Sequence, residues 1–251
     1  MSDYAHSEVK LTVLGCAGSS YDEELRLPCS SYLVETHETA ILLDCGFGSF
    51  ESFSLLVPDS RLDAIFVSHA HADHVADLEA FMDAADVWRD QPRLVASEQT
   101  TTSIVREPDS LPPGTLVLAR EETHLELPFL EIAFSLTTHQ TPTLAACVSL
   151  GGRRVAYGAD TGPTWVIPPH FVGADLAILE CTLETRDESS SPFHLDAQEV
   201  GNLARELSAR QTLITHVPPH ENGEARLALA RGVATKENFL LATTGLRVML
   251  E

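Results

Sequence analysis

The sequence predicts a single α/β domain with a mixed sheet or two sheets facing each other. Short apolar runs bounded by Gly, Pro, Asp or Ser dominate the first part of the chain. Helical periodicity alternates with strand-like runs in the second part, and polar clusters follow directly after several apolar runs. No repeat or linker interrupts the 251 residues, so we expect residues 1–251 to form one domain.

The predicted strands are short apolar runs ended by turn-forming residues. Gly151 and Gly152 separate two of them, and this pair is typical of a tight hairpin. The predicted strands are Lys10–Leu14, Ser31–Glu35, Thr39–Leu43, Ala64–Val67, Leu130–Leu136, Leu144–Leu150, Arg153–Tyr157, Leu176–Leu179, Thr212–Thr215 and Leu246–Leu250.

Three helices are predicted from apolar residues spaced at helical intervals. The second helix begins with Asp196 as N-cap and Glu199 three residues later, the carboxylate form of a capping box. The predicted helices span Asp77–Trp88, Ala197–Ala209 and Glu224–Arg231.

Composition is that of a globular protein that functions in the cytoplasm. Hydrophobic residues make up 44% of the chain and charged residues 21%, values that exclude a disordered chain. No apolar run approaches the roughly 18 residues that cross a bilayer, so no membrane segment is expected. The N-terminal residues lack the pattern of a secretory signal. The five cysteines contain no CxxC pair, which favours a reducing compartment over a disulfide framework.

The charge balance disfavours a large nucleic-acid substrate. Asp and Glu number 37 against 16 Lys and Arg, which gives a formal net charge of −21. A chain of this charge repels polyanions at long range, and contacts to phosphates dominate nucleic-acid affinity.

A cluster of metal-ligand residues follows the predicted strand Ala64–Val67. His69, His71, Asp73 and His74 lie within six residues and are spaced by alanines, which leave room for the backbone to fold around an ion. Imidazole and carboxylate groups suit zinc, a metal that accepts nitrogen and oxygen ligands. This spacing predicts a metal site.

Three further candidate ligands each follow an apolar run in the second half of the chain. His139 follows Leu130–Leu136, Asp160 follows the hairpin strand that ends at Tyr157, and His216 follows Thr212–Thr215. Because α/β folds collect their sites at the carboxyl ends of strands, we expect these residues to join the first cluster. Together they supply enough ligands for two metal positions.

The order of these motifs resembles the metallo-β-lactamase superfamily. The segment SHAHADH, a later histidine, GAD after a hairpin and THVPP recur in the same order, preceded by Leu43-Asp44-Cys45-Gly46. The resemblance implies an αββα sandwich with two zinc ions, which manganese or iron can replace. It implies that His69, His71 and His139 hold one ion, that Asp73, His74 and His216 hold the second, and that Asp160 bridges them.

Two further residues resemble the RNase Z branch of this superfamily. Glu180 lies in Leu179-Glu180-Cys181-Thr182, where the branch has His-Glu-Ala-Thr, and His194 precedes the capped helix. The resemblance implies that this pair assists the leaving group of a phosphodiester. A histidine can protonate a departing oxygen, and a glutamate can orient that histidine.

The chain resembles members of the branch that lack the tRNA-binding arm. In true tRNA 3′-processing enzymes a long arm separates the third histidine from the bridging aspartate, but here a predicted hairpin occupies that interval. The resemblance therefore favours the short bacterial cyclic-nucleotide phosphodiesterases. The phosphonate-pathway cyclic phosphodiesterases are similar too, but they carry an additional cysteine zinc cluster, and residues 21–29 contain one cysteine.

These observations predict a di-zinc hydrolase of a small phosphodiester, with a 3′,5′-cyclic nucleotide as the first candidate. Asp73 is expected to steer the attacking hydroxide as well as bind metal, and His194, oriented by Glu180, to protonate the leaving oxygen. Three alternatives stay open: an RNase Z-like endonuclease, a hydrolase of a thioester, lactone or β-lactam, and a metal-binding or sensing protein without turnover. Homodimers are common among relatives, so a homodimer is possible, but no motif marks an interface and the oligomeric state stays open.

Overall fold

In the computed structural model, described for residues 8–18, 24–25, 27–105, 111–121, 123–127, 129–236 and 238–250, the chain forms two mixed β-sheets. Each sheet has seven strands, and helices pack on the outer faces. The observed architecture is therefore the predicted αββα sandwich. Within the described residues, no helix is long and apolar enough to cross a membrane.

The first sheet has the strand order β14-β1-β2-β3-β4-β5-β6. Strands β3 to β6 are parallel to one another, whereas β14, β1, β2 and β3 pair antiparallel. Its strands are β1 (Val9–Gly15), β2 (Ser31–Glu35), β3 (Ala40–Leu43), β4 (Ala64–Val67), β5 (Leu94–Ser97), β6 (Leu116–Ala119) and β14 (Arg247–Leu250).

The second sheet has the order β13-β12-β11-β10-β9-β8-β7. Here β10 to β13 are parallel, and β7 to β10 form an antiparallel meander. Its strands are β7 (His124–Leu127), β8 (Leu130–Leu136), β9 (Leu144–Leu150), β10 (Arg153–Tyr157), β11 (Leu176–Glu180), β12 (Gln211–Thr215) and β13 (Phe239–Leu241).

The helices range from four residues in α2 to eleven residues in α5 and α6. In α5, Asp196 and Glu199 form the predicted capping box, in which each side chain accepts a hydrogen bond from the backbone of the other residue. The helices are α1 (Ser49–Leu56), α2 (Ala72–Val75), α3 (Leu78–Asp83), α4 (Glu98–Ile104), α5 (Ala197–Leu207) and α6 (Gly223–Val233).

One predicted helix is shorter than the sequence suggests. The apolar spacing predicts a helix over Asp77–Trp88, but the helix ends at Asp83 and a separate 3₁₀ turn spans Ala85–Val87. Ala84 adopts a ψ of 89°, outside the helical region, and breaks the run. The side chains of Phe81 and Trp88 are nevertheless both buried, so the apolar spacing reports burial rather than a continuous helix.

Three apolar clusters fill the three interfaces between the four layers. The central cluster joins the inner faces of both sheets through residues such as Phe66, Phe134 and Ile178. A second cluster packs α5 and α6 onto the second sheet, and a third packs α1 and α3 onto the first sheet. Burial of these faces drives the layers together.

The strand directions place the carboxyl ends of β3, β4, β10, β11 and β12 at one edge of the sandwich. Ligands of α/β proteins gather at such an edge because the connecting loops all leave from it. The candidate site residues follow these ends or lie at them, so the fold itself brings them together.

Candidate metal centre

The segment after β4 supplies the first four side chains of the site. His69 and His71 lie in the extended loop after Val67, and Asp73 and His74 lie in the one-turn helix α2. Because α2 begins at Ala72, the chain turns between the two pairs and directs them to different positions. The alternation of histidine and alanine therefore produces two groups of ligands from one segment.

Three residues at the site have a left-handed backbone conformation. Asp44, Ala159 and His216 have φ values of 58°, 50° and 57°. Non-glycine residues adopt this conformation uncommonly, and it is concentrated at functional sites. Each of the three lies at the end of a strand and sends the chain sharply away from the sheet.

Close backbone approach at the site requires glycine at two positions. A Cβ atom on Gly18 would lie 2.6 Å from Nδ1 of His216, and one on Gly46 would lie 2.1 Å from the carbonyl oxygen of Asp73. Both positions therefore admit no side chain without displacing a candidate ligand.

The first cluster consists of three imidazoles. Nδ1 of His71 lies 3.0 Å from Nε2 of His69 and 3.2 Å from Nε2 of His139. Oδ2 of Asp160 lies 3.7 and 3.8 Å from Nε2 of His69 and of His139. Four ligand-type atoms from distant parts of the chain thus lie within 4.8 Å of one another, close enough to share one metal ion.

The second cluster adds a carboxylate to two imidazoles. Nε2 of His216 lies 3.3 Å from Nε2 of His74 and 3.1 Å from Oδ2 of Asp73. Oδ1 of Asp160 is 3.3 and 3.4 Å from the same two nitrogens of His74 and His216. All three residues of this cluster are buried.

Asp160 lies between the clusters and turns one oxygen toward each. Its Oδ1 atom is buried and has no hydrogen-bond partner among the described residues. An unpaired buried carboxylate oxygen is costly, and so are facing imidazole nitrogens that cannot all pair with one another. A divalent cation at each cluster would satisfy both, so the side chains fit two metal ions.

The electrostatics of the two clusters differ. In the first cluster burial lowers the pKa of His69, His71 and His139, which favours the neutral imidazole that binds metal. In the second, burial also disfavours the charged form, but nearby carboxylates outweigh it. Asp160 and Asp44 raise the pKa of His74 well above its ordinary value, and Asp160 and Asp73 raise that of His216 to about 9. Negative charge therefore surrounds the second cluster.

Asp44, which directly follows β3, contacts several of the candidate ligands and their neighbours. This wholly buried carboxylate accepts hydrogen bonds from the Ser68 backbone (2.7 Å), the Ser68 hydroxyl (2.7 Å) and the Tyr157 hydroxyl (2.5 Å). Its Oδ2 atom lies 2.7 Å from Nδ1 of His74, and the Ser68 hydroxyl lies 3.0 Å from Nδ1 of His69. Such outer contacts fix the orientation of ligand imidazoles.

Glu180, the last residue of β11, has a similar role in the second sheet. Its carboxylate accepts hydrogen bonds from the backbone N–H groups of Thr161 (3.0 Å) and Thr182 (3.1 Å). Oε1 of Glu180 lies 2.8 Å from Nδ1 of His194, whose side chain is 22% exposed. Burial lowers the pKa of His194, but the hydrogen bond and charge of Glu180 outweigh it and raise the pKa above the ordinary histidine value.

The loop that carries His194 is held from several sides. Arg186 donates a bidentate pair of hydrogen bonds to Glu199 and further bonds to the carbonyls of Ser191 and His194. On the other side the Phe193 carbonyl lies 3.1 Å from Nδ1 of His139. His194 Nδ1 is 4.0 Å from Oδ2 of Asp160, so the acid candidate borders both clusters.

The structure brings together every site residue named from the sequence. The seven candidate ligands form two clusters around Asp160, and Glu180 and His194 form a hydrogen-bonded pair beside them. Sequence reasoning gave no role to Asp44, Ser68 or Thr182. Asp44 follows the predicted strand Thr39–Leu43, as the other candidate residues follow theirs, and that position was the available signal.

Comparison with known proteins agrees with this geometry. A profile described as Beta-lactamase superfamily domain matches residues 39–217. Probable metallo-hydrolase YhfI of Bacillus subtilis (strain 168) is 28% identical over 229 residues, which span 84% of this chain and 87% of YhfI. A ribonuclease Z of Ignicoccus hospitalis is 22% identical over 263 residues, which span 82% of this chain and 87% of that protein.

Solved structures share the fold over almost the whole chain. The crystal structure of YhfI matches with a TM-score of 0.82 and 24% identity, and covers 97% of this chain and 99% of its own. A diphosphatase of the PhnP family matches with a TM-score of 0.72 and 20% identity, over 97% and 98% of the two chains. The fold and paired clusters define a divalent-metal-dependent hydrolase. This chain belongs to the metallo-β-lactamase superfamily.

Proposed function

We propose that the protein is a di-zinc phosphodiesterase that hydrolyses a small phosphodiester, with a 3′,5′-cyclic nucleotide as the first substrate to test. The observation that carries this proposal is Asp160, whose two oxygens face two separate ligand clusters while the Glu180–His194 pair lies beside them. Two metal positions and a separate acid suit an in-line displacement at phosphorus.

The ligands are assigned by cluster. His69, His71 and His139 would hold one ion, Asp73, His74 and His216 the other, and Asp160 both. When bound, two zinc ions supply hydroxide near neutral pH and neutralise charge on phosphate oxygens.

The chain's own groups orient the reactants and move the proton. Asp73 lies at the second cluster and would accept a hydrogen bond from the attacking water, which orients it toward phosphorus. His194 would donate its Nε2 proton to the departing oxygen. Its Nδ1–H donates to Glu180, and this bond fixes the ring and favours its protonated form.

The names of relatives favour phosphoester chemistry over the other ester classes. A sequence relative is a ribonuclease Z, and a fold neighbour is a diphosphatase. Both names describe cleavage at phosphorus, whereas a thioester, lactone or β-lactam would call for attack at carbon. The separate His194 acid also suits an alkoxide leaving group, which needs protonation more than a thiolate does.

The net charge of −21 favours a small substrate over RNA. Extended nucleic acids bind through many phosphate contacts, which an acidic surface opposes, whereas a cyclic nucleotide carries a single phosphodiester charge. The ribonuclease Z relatives make an RNase Z-like activity the second candidate. Added salt would weaken RNA binding steeply and leave the KM of a small substrate almost unchanged.

The test is hydrolysis of cyclic AMP and bis(p-nitrophenyl) phosphate by the zinc-loaded protein, with His69→Ala as control. We expect metal-dependent cleavage of both substrates in the parent and of neither in the control. Nitrocefin and a thioester serve as comparison substrates. Cleavage of either comparison substrate, without cleavage of the phosphodiesters by protein shown to hold two metal ions, would overturn the proposal.

Zinc, a cytoplasmic location and a homodimer complete the proposal. Elemental analysis of protein purified without added metal, and sedimentation of the purified protein, test the first and the last. Five free cysteines in the described residues are consistent with a reducing compartment.

A further inference from the structure

The hydroxyl of Thr182 lies at the centre of a hydrogen-bond network between the acid pair and the second metal position. Its Oγ1 atom is 2.6 Å from Oε2 of Glu180, 2.9 Å from Nδ1 of His216 and 3.3 Å from Nδ1 of His194.

Counting donors and acceptors fixes the direction of these bonds. The Glu180 carboxylate accepts two backbone N–H bonds, and its 2.6 Å contact with Thr182 Oγ1 makes it the acceptor of the single Thr182 proton as well. The Thr182 oxygen is then left as an acceptor. His216 must therefore donate its Nδ1 proton to Thr182, so Nε2, the nitrogen that faces Asp73 and Asp160, is the one left to bind a metal.

The position of Thr182 is fixed by a buried arginine. Arg226 is wholly buried, and its guanidinium donates to the carbonyl of Cys181 (3.0 Å) and to that of Thr182 (3.1 Å). Glu221 pairs with the same guanidinium. Two hydrogen bonds from this buried arginine go to consecutive carbonyls of one backbone segment and restrain it, and that segment carries the Thr182 hydroxyl.

A similar arrangement occurs at the ends of β3 and β4 in the first sheet. There the Ser68 hydroxyl donates to the Asp44 carboxylate (2.7 Å) and lies 3.0 Å from Nδ1 of His69. In both places a buried carboxylate contacts one imidazole directly and a second imidazole through a hydroxyl. The recurrence argues that the hydroxyl has a positioning role rather than an incidental one.

We propose that Thr182 is a positioning residue that selects the metal-binding tautomer of His216 and links it to Glu180. Glu180 thereby supports two imidazoles at once, the proton donor His194 and the ligand His216. The inference rests on the proposed assignment of His216 to the second metal position. Loss of a partner beyond the ligand imidazole typically weakens metal affinity by about 10–100-fold.

The test compares Thr182→Val, Thr182→Ser and the matched control Thr164→Val, which removes an exposed hydroxyl at the same edge. Zinc affinity is measured by competition with a chromophoric chelator. We expect Thr182→Val to weaken one of two zinc equivalents by about 10–100-fold and leave the other unchanged. Thr182→Ser and Thr164→Val should keep both parental affinities. Parental affinity for both equivalents in folded Thr182→Val would overturn the inference.

A measurement on the parent protein covers the case in which the valine variant does not fold. In the zinc-loaded protein, ¹⁵N-resolved NMR of the imidazoles should show a protonated Nδ1 on His216 that is protected from exchange. A metal-bound Nδ1 or a protonated Nε2 on His216 would overturn the inference. Neither readout uses a substrate, so failure of the proposed phosphodiesterase activity is recognised separately.

Discussion

Two hydrogen-bond networks with the same arrangement support the site, one from each sheet. They differ in the roles and the solvent exposure of their imidazoles. Asp44 contacts His74 directly and His69 through Ser68. Glu180 contacts His194 directly and, through Thr182, reaches His216. Three of these four imidazoles are candidate ligands, and the fourth is the candidate acid.

Exposure explains the different role of the fourth imidazole. The side chain of His74 is 1% exposed and that of His194 is 22% exposed. A proton donor must exchange protons with solvent between turnovers, whereas a metal ligand gains from exclusion of water. The same carboxylate–imidazole pair thus supports a metal position when buried and a proton donor when it opens to the surface.

Among the substitutions that test this comparison, His74→Ala has the largest expected effect. We expect loss of the ion at the second position and a fall in turnover of more than about 10³-fold, because an ion stabilises more charge than a single hydrogen-bond donor does. Elemental analysis and turnover are measured together. His124→Ala, an exposed histidine on β7, is the matched control and should change neither quantity. Two bound equivalents in His74→Ala would contradict the assignment.

His194→Ala tests the other network. We expect turnover on cyclic AMP to fall by about 10²–10⁴-fold while both metal equivalents remain, because the substitution removes the proton donor and no ligand. The rate on bis(p-nitrophenyl) phosphate should fall less, since its leaving group needs little protonation. An equal loss on both substrates, or loss of metal, would remove His194 from the role of acid.

Asp44→Asn tests whether the buried hydrogen bonds of Asp44 contribute to zinc affinity. The amide cannot accept all the hydrogen bonds that the carboxylate accepts from Ser68, Tyr157 and His74. We expect zinc affinity at the second position to fall by about 10–100-fold. Asp175→Asn, which alters a carboxylate hydrogen-bonded to Arg154 away from the site, should have no such effect. Unchanged zinc affinity in Asp44→Asn would contradict the role assigned to this network.

Ser68→Ala has the smallest expected effect of the series. Asp44 keeps its direct contact with His74, and only the link to His69 is lost. We expect about a tenfold loss of affinity at the first position, at the lower end of the effects seen for outer partners. Isothermal titration with zinc measures it. A larger effect at the second position than at the first would show that the two hydrogen-bond links have been assigned to the wrong imidazoles.

The metal clusters could be predicted from the sequence because candidate ligands follow the ends of several strands. His69, Asp160 and His216 lie just beyond β4, β10 and β12, and the parallel strands bring those ends to one edge. A dense group such as HAHADH also carries its own signal, since few other roles need it.

The hydrogen-bond network that supports the candidate ligands could not be predicted from the sequence in the same way. The bond from Thr182 to His216 joins residues on separate strand ends, and a threonine after a strand has no periodicity or spacing that marks it. Several elements were missed for a related reason. Strand β7 alternates exposed and half-buried positions and forms no continuous apolar run. The short runs of β5 and β6 were not predicted as strands, although that of β5 is buried.

The central claim is that two ions on either side of Asp160 act together on a phosphodiester. Its most direct test is a zinc titration of metal-free protein with turnover of bis(p-nitrophenyl) phosphate followed in parallel. We expect turnover to rise as the second equivalent binds and to reach its plateau at two ions per chain. Full turnover at one equivalent, or none at two, would contradict it.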